Sequence, residues 1–367
     1  MSNNTTIVYM ANDARPKGGL ADRLCGIVML YKVCKLCGFR FKINFTVPFD
    51  LSVYLRPRYD WKISEDEISL NKEKSVTVSS FVTDIALPQY ADTVEYCGLD
   101  FHGLYAVAKN FSKNYEYILF YTNRAYSGDD YGALFYELFD ISPELQNVID
   151  FHRNKINNGY VTAAFRLQSL LGDFDETCDK FPTLPVGLQD FFMQRNISHL
   201  IKIHEANKGK KVLVCSDSEK FINAAAAYDF VYAIDGKRQH SDVPEMEKQC
   251  ALLTFVDFFM ISYSDMVYLV IDGIKDKGII YESYNSGFSR WASRLRNIKF
   301  IIMDYRPFAK LKKYKNGIMR RLYRFLRWFQ RSRRHWQGPC VKSHSGSPRT
   351  TNPAGDMKSD RKVRCAV

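Results

Sequence analysis

Several short segments of the sequence carry side chains that could bind or transform an anionic ligand. The first is KGGLADRLCGIV, residues 17–28, which places Gly18, Gly19, Asp22 and Arg23 between a predicted strand and a predicted helix. Glycines let the backbone approach a ligand closely, and a helix N-terminus offers free N–H groups to an anion. A tight turn with a solvated Asp–Arg pair fits the same pattern, so both interpretations stay open.

The second segment, AAFRLQSLLGDFDE, contains an arginine at the end of a strand and an acidic loop. The planar guanidinium of Arg166 suits a diphosphate, although an ion pair with a nearby acid is an equal use for it. The acids Asp173, Asp175 and Glu176 follow within ten residues. Such a cluster could hold a divalent metal through oxygen ligands, could supply a general base, or could simply be a solvated loop.

A third segment, VLVCSDSEKF, places polar residues where an apolar strand gives way to a helix. Ser216, Asp217 and Ser218 occupy that junction. Ligands of open α/β sheets bind at the carboxyl ends of the strands, so this loop is expected at a cleft. Any of the three side chains could equally act as the N-cap of the helix.

The fourth segment, YNSGFSRWASRL, begins a helix with small polar residues. Its start consists of Ser286, Gly287, Phe288 and Ser289. Backbone amides and hydroxyls at such a position can bind a phosphate, and a simple helix cap is again the alternative. Taken singly, none of the four segments decides the function.

The elements that must position these residues alternate between short apolar strands and amphipathic helices, which predicts an α/β architecture. IVYM, a helix ending at Gly38 and FKINF form an opening βαβ unit, and YVTAAFRL opens a second α/β set. Residues 50–110 are less regular, with many aromatics and alternating polar positions, and we do not place individual elements there. We therefore predict two Rossmann-like lobes facing a cleft, with boundaries at 1–155, 156–305 and a tail at 306–367.

Composition narrows the classes of protein. No run of about 18 apolar residues indicates a transmembrane helix, and the N-terminus lacks the pattern of a signal peptide. The nine cysteines are scattered and odd in number, which favours reduced thiols in a cytosol. Cys34 and Cys37 form a CxxC without a second pair, so we interpret them as small residues of a buried helix rather than metal ligands.

The net charge of +12 is concentrated at the C-terminus. Residues 306–367 contain 18 Lys or Arg and two acidic residues, whereas the rest of the chain holds 34 basic and 38 acidic residues. Within the tail, NGIMRRLYRFLRWFQRSRRHW fits a helix with an aromatic apolar face opposite an arginine stripe, typical of an interfacial helix. We predict that residues 310–336 bind an anionic membrane surface. A helix packed on the protein itself, or one bound to nucleic acid, is the less favoured alternative.

Together and in this order, GGLADRLCGIV, FRLQSLLGDFDE, VLVCSDSEKF and NSGFSRWASRL resemble the motifs of the metal-independent fucosyltransferases of GT-B fold. The resemblance spans roughly residues 5–305 and is closest to bacterial nodulation-type members. It implies an inverting transfer of fucose from GDP-fucose to a sugar hydroxyl, with no metal and no other cofactor. The second motif of that group reads HxRxxD, from which this sequence departs at Ala164 and Ser169.

The resemblance also implies roles for individual residues. Arg166 matches the arginine that grips the β-phosphate, and Asp217 and Ser218 match the loop near the guanine and ribose. The matches to the helix start that cradles the diphosphate are Ser286, Gly287, Phe288 and Ser289, and those to the loop on the acceptor side are Gly18, Gly19, Asp22 and Arg23. The candidates for the general base are Asp22, Asp173 and Asp175.

The expected partners are a nucleotide-sugar donor and a glycan acceptor on a bacterial cell surface, possibly lipid-linked. With the basic tail, this predicts a cytoplasmic protein on the inner face of the membrane. Nucleic acid is not an expected partner. A transferase of the same fold that uses another nucleotide sugar, and an inactive nucleotide- or sugar-binding protein, are the two other hypotheses.

Overall fold

The computed structural model describes residues 4–12, 18–80, 92–96, 99–123, 128–157, 159–174, 182–243 and 245–306. Its strands are β1 (Thr6–Ala11), β2 (Arg40–Phe45), β3 (Leu55–Pro57), β4 (Ser75–Ser79), β5 (Asp92–Glu95), β6 (Tyr117–Tyr121), β7 (Phe139–Ile141), β8 (Tyr160–Phe165), β9 (Lys211–Ser216), β10 (Val231–Ala233), β11 (Met266–Ile271), β12 (Gly273–Asp276), β13 (Ile279–Glu282) and β14 (Lys299–Asp304). Its α-helices are α1 (Leu20–Cys37), α2 (Glu65–Leu70), α3 (Phe101–Phe111), α4 (Tyr131–Leu138), α5 (Pro143–Ile156), α6 (Val186–Ala206), α7 (Glu219–Ala226), α8 (Lys248–Ser262) and α9 (Gly287–Arg294).

Two five-stranded parallel sheets organise the described chain. The first has the strand order β2-β1-β6-β4-β5, and the second has the order β10-β9-β8-β11-β14. We call the part of the chain up to the end of α5 the first lobe, and the part from β8 to β14 the second lobe. The predicted fold class, α/β with two Rossmann-like lobes facing a cleft, is confirmed.

The central strands of each sheet are buried on both faces, as parallel strands covered by helices must be. Every residue of β1 and of β8 is buried. Helix α1 packs on the first sheet, whereas α6, α7 and α9 pack on the second. The side chains on both faces of β1 and β8 are thus buried, which explains why IVYM and YVTAAF are continuous apolar runs.

One hydrophobic core joins the two lobes. Helix α8 belongs to the second lobe in sequence, yet the ring of Phe255 stacks on Tyr54 of the first lobe at 4.6 Å between centroids. Phe49 meets the same Phe255 ring edge-on at 5.5 Å. The described residues accordingly belong to one compact unit, within Met1–Ala309. The domain boundaries at 155 and 305 stay predictions.

Most predicted elements lie where the sequence patterns place them. Ser142 caps α5 by accepting a hydrogen bond from the backbone N–H of Leu145. Gly38 ends α1 in the left-handed conformation with a φ of 68°. Cys34 is buried and Cys37 half-buried on α1, as expected of small helical residues. The basic segment 310–336 lies outside the described residues. Within them, no helix is long and apolar enough to cross a membrane.

Candidate active site

A cleft of about 310 Å³ lies at the carboxyl ends of the parallel strands and is lined by both lobes. Its wall in the first lobe is the start of α1. The larger wall, in the second lobe, comes from the loops after β8, β9 and β10, from α8 and from the start of α9. The lining includes the predicted residues Gly18, Gly19, Asp22, Arg166, Asp217, Ser286, Gly287, Phe288 and Ser289.

Arg166 follows the last residue of β8 and is held from two sides. Its Nη1 donates to Oδ2 of Asp217 at 2.6 Å, and its guanidinium lies over the ring of Phe174 at 4.9 Å. The same carboxylate accepts from the backbone N–H groups of Leu167 at 2.8 Å and Gln168 at 2.7 Å. Asp217 therefore fixes both the side chain of Arg166 and the turn that carries it.

Gln168 shows that this turn is under constraint. Its φ of 55° lies in the left-handed region, which costs a non-glycine residue about 1–3 kcal/mol and persists only where the surroundings impose it. The bond from its N–H to Asp217 supplies part of that constraint.

Asp22 is the acid that faces the cleft from the first turn of α1. Burial and, second, the carboxylate of Asp242 raise the pKa of Asp22 from 3.8 to about 6, against the lowering effects of a backbone hydrogen bond and nearby arginines. A Cβ atom added at Gly18 would lie 2.9 Å from its Oδ2, and one at Gly287 would lie 3.5 Å from its Oδ1. The carboxylate therefore lies between the glycine turn and the start of α9.

The start of α9 meets the requirements of an anion site. Ser286 caps the helix by accepting from the N–H of Phe288 at 3.1 Å, and Gly287 leaves its backbone uncovered by a side chain. Ser289 lines the cleft and is 2% exposed, yet its Oγ has no hydrogen-bond partner among the described residues. Because Ser289 lines the cleft at a helix N-terminus, a ligand oxygen bound there could accept a hydrogen bond from this hydroxyl.

Two of the predicted ligand-binding residues, Arg23 and Ser218, make hydrogen bonds within the protein. Arg23 is 1% exposed and is not among the residues that line the cleft. Ser218 is fully buried and caps α7 by accepting from the N–H of Phe221 at 3.2 Å. Both side chains make internal hydrogen bonds, and their roles as ligand contacts stay predictions.

The acidic loop after β8 is only partly described. Oδ2 of Asp173 accepts from Ser218 Oγ and from the N–H of Lys220, each at 2.8 Å, which ties the loop to the start of α7. Asp173 is not among the cleft-lining residues. Asp175 and Glu176 lie outside the described residues. Among described side chains, no group of three or more His, Cys, Asp or Glu could hold a metal ion.

The cleft also contains charged residues that the motifs did not reveal. Arg238 and Asp257 form an ion pair with an Nε–Oδ2 distance of 3.3 Å and side-chain exposures of 8% and 9%. His240 and Asp242 follow in the loop after β10. The sequence did carry a signal for them: KRQHSD comes directly after a strand, and Asp257 is a lone acid in the apolar helix ALLTFVDFFMIS.

Fold and cleft together define a two-lobed α/β protein whose cleft combines a constrained arginine, a helix start and an acid with a raised pKa. No family model matches the sequence. No curated protein matches it either. Solved structures do resemble its fold.

One of them is POFUT1 in complex with GDP-fucose, with 12% identity, a TM-score of 0.49, and coverage of 83% of this chain and 99% of that one. Another is the NodZ α1,6-fucosyltransferase soaked with GDP-fucose, with 10% identity, a TM-score of 0.47, and coverage of 82% and 94%. NodZ from Bradyrhizobium gives 11% identity, a TM-score of 0.48, and coverage of 83% and 96%. Likeness of this degree does not by itself carry a function from one protein to another.

Proposed function

We propose that this protein is an inverting glycosyltransferase that transfers fucose from GDP-fucose to a hydroxyl of a glycan. The observation that carries the proposal is the juxtaposition, in one cleft, of an anion site and a proton acceptor. Arg166 and the start of α9 provide positive potential and hydrogen-bond donors, and Asp22 provides a carboxylate beside them. A nucleotide sugar needs both, because its diphosphate leaves as an anion while its sugar is attacked by a hydroxyl.

The charges that develop during the proposed reaction explain the roles of Arg166 and the start of α9. As the bond between the sugar C1 and the diphosphate oxygen breaks, its electron pair goes to that oxygen, and positive charge builds on the sugar ring. Arg166 and the amide and hydroxyl donors of Ser286–Ser289 would stabilise the leaving diphosphate, the task that a metal ion performs in other enzymes. Held by Asp217, Arg166 needs little reorganisation for this.

The acceptor hydroxyl loses its proton as its oxygen attacks C1 from the face opposite the diphosphate, which inverts the anomeric centre. Of the two candidate bases that the structure describes, Asp22 and Asp173, Asp22 is the one that lines the cleft. Its raised pKa also suits it, because proton transfer is most effective when the base has a pKa near the working pH.

The base end of the donor requires a polar contact as well. Arg238 offers N–H donors and Asp257 offers acceptor oxygens, and both line the cleft beside the small residue Ala164. Guanine presents acceptors on one edge and N–H donors on another, so this ion pair is chemically suited to it. The departure from the family histidine at Ala164 is therefore compatible with GDP as the nucleotide.

Donor hydrolysis tests the proposal without knowledge of the acceptor. Purified protein is incubated with GDP-fucose, GDP-mannose, UDP-galactose or ADP-glucose, with EDTA present, and nucleotide release is measured together with GDP binding by calorimetry. We expect GDP binding and hydrolysis of GDP-fucose alone. If a different donor is hydrolysed, the sugar of that donor, and not fucose, is the one transferred. Nucleotide binding without any hydrolysis would identify an inactive binding protein.

We further propose that the acceptor is a cell-surface glycan or lipid-linked oligosaccharide, reached from the cytoplasmic face of a membrane. The support is the basic sequence 310–336, in which each Lys or Arg near an anionic surface contributes about 1 kcal/mol. Membrane binding by residues 310–336 is tested by flotation with phosphatidylserine vesicles, in which the parent protein is compared with the double variant Phe325→Ser/Phe329→Ser. We expect the double variant to bind less than the parent, and equal binding would reject an inserted apolar face.

A further inference from the structure

A buried arginine of the first lobe fastens a loop of the second lobe to the mouth of the cleft. Nη2 of Arg23 donates to the carbonyl oxygen of Ser241 at 2.6 Å and to Oδ1 of Asp242 at 3.0 Å. The side chains of Arg23 and Asp242 are only 2% and 5% exposed. On its other edge, Arg23 donates to the carbonyl oxygens of Gly18 at 3.0 Å and Val47 at 2.9 Å. Its guanidinium is therefore a fixed junction between the glycine turn and the loop after β10.

The second oxygen of Asp242 faces an imidazole. Oδ2 of Asp242 lies 3.5 Å from Nδ1 of His240, and His240 lines the cleft. Its other nitrogen, Nε2, lies 3.6 Å from the position that a Cβ at Gly19 would occupy. A buried acid behind a histidine is a common means of fixing the orientation and tautomer of the ring.

These contacts bring two proton-accepting groups to the same glycine turn. Asp22 lies against Gly18, and His240 lies against Gly19. We propose that Arg23 is a positioning residue which, through Asp242, holds His240 beside Asp22, so that each lobe contributes one proton-accepting side chain to the cleft. This inference rests on the proposed glycosyl transfer. In that reaction the attacking oxygen loses its proton to one of these two groups, while the electron pair of the C1–O bond goes to the diphosphate.

Several charged groups face Asp22 and would respond to changes in the pair. They are Arg23 on its own helix, Arg166 after β8 and Asp242 in the loop after β10. The neutral Cys25 thiol on α1 and the neutral Tyr9 phenol on β1 also feel the charge of Asp22, and His240 lines the same cleft. The carboxylate of Asp242 raises the pKa of Asp22, whereas Arg23 lowers it. Neutralising Asp242 should therefore move the acidic limb of the pH–rate profile to lower pH.

The chain contains a matched control for a change at Asp242. Asp272 is also a buried acid that binds an arginine and a histidine, through Arg195 at 2.7 Å and His199 at 3.0 Å. Asp272 is not among the cleft-lining residues. Asp272→Asn should lower the melting temperature as Asp242→Asn does, without moving the pH profile.

The experiment measures GDP-fucose hydrolysis against pH for Asp242→Asn, His240→Gln, their double variant and Asp272→Asn. We expect about a tenfold or larger loss for each cleft variant, within the usual range for groups that handle protons, and a limb shifted to lower pH for Asp242→Asn. If Asp242 acts through His240, the double variant loses little more than His240→Gln alone. Arg23→Met/Asp242→Leu removes the ion pair without leaving a buried charge. Because it also takes the donor away from the carbonyl oxygens of Gly18, Val47 and Ser241, it should lower both the melting temperature and the rate.

Two results would overturn the inference. One is an Asp242→Asn profile identical to that of the parent, and the other is fully additive losses in the double variant. Both require an active parent protein. A parent that neither binds GDP nor hydrolyses GDP-fucose would instead overturn the proposed function, and this inference with it.

Discussion

The backbone N–H of Tyr284 donates to the carbonyl oxygen of Arg166 at 2.9 Å. This bond joins the loop after β8 to the segment that leads into α9. The guanidinium of Arg166 and the cap residue Ser286 are thus held at a fixed spacing before any ligand arrives. Preorganised donors of this kind are the most effective means of stabilising a charge that develops during a reaction.

Replacement of Arg166 by alanine should reduce GDP-fucose hydrolysis by about 100-fold or more, because one preorganised donor to a developing anion is lost. GDP binding, measured by calorimetry, should weaken in parallel. Arg306 offers a matched control. Its side chain is 18% exposed against 17% for Arg166, and its Nη2 lies 2.6 Å from Oδ2 of Asp304. Arg306→Ala should leave GDP binding unchanged, and retained activity in Arg166→Ala would remove Arg166 from the site.

The unpartnered hydroxyl of Ser289 predicts a loss of binding without a loss of stability. Ser289→Ala removes no hydrogen bond that Ser289 Oγ makes to the described part of the chain, but it should weaken GDP binding by about 10- to 100-fold if the hydroxyl meets a charged phosphate. Ser293 on the same helix is equally buried and donates to the carbonyl oxygen of Arg290 at 2.7 Å. Ser293→Ala should therefore show the reverse pattern, with a lower melting temperature and unchanged affinity for GDP.

Ionisation of Asp22 should govern both activity and stability between about pH 4 and pH 6. Its folded pKa of about 6 lies above the ordinary 3.8, so the folded state binds the proton more tightly, and the stabilisation present at low pH is lost as the pH rises to 6. Hydrolysis should rise over the same range as the carboxylate becomes a base. Asp22→Asn should abolish that rise while raising the melting temperature at pH 8 by about 2–4 °C. An unchanged acidic limb in Asp22→Asn would assign the proton to another group.

Alanine variants at Gly18 and Gly38 distinguish the effect of backbone strain from that of a steric clash with Asp22. Both have positive φ values, 81° and 68°, so alanine strains the backbone at either position. At Gly18 the added Cβ would also lie 2.9 Å from Oδ2 of Asp22, whereas at Gly38 nothing lies within 4 Å. Both variants should lose about 1 kcal/mol of stability, but only Gly18→Ala should reduce hydrolysis. Equal activity of the two would show that the position of Asp22 is not critical.

The sequence was a good guide where hydropathy and chain direction determine structure. The apolar runs of β1, β8 and β9 and the junctions after them were predictable, because strands of a parallel sheet direct their following loops to one edge. In β4, by contrast, SVTVS alternates polar and apolar residues, a pattern that predicts a strand with one exposed face, yet Ser75, Thr77 and Ser79 are buried as well. Hydrophobic periodicity cannot show that the polar face of a strand is covered.

Within the site, the sequence could not predict which charged side chains pair with each other over long sequence distances. Arg23 and Asp217 have the residue types expected of ligand contacts, but their partners lie far along the chain, at Asp242 and at Arg166. A single sequence does not show which acid meets which arginine. The position of KRQHSD after a strand indicates a loop at the cleft, but its contacts with Arg23 of the first lobe could not be read from the sequence.

The stacking of Phe255 on Tyr54 bears on how this protein could be divided or recombined. A fragment ending near residue 155 would expose Phe49 and Tyr54 to water, since the helix that covers them is supplied about 100 residues later. A chimaera that exchanges the second lobe for that of another protein would have to retain α8 or rebuild its aromatic contacts. The two lobes are therefore not separable units in this chain, and an exchange of either lobe must preserve its packing against the other.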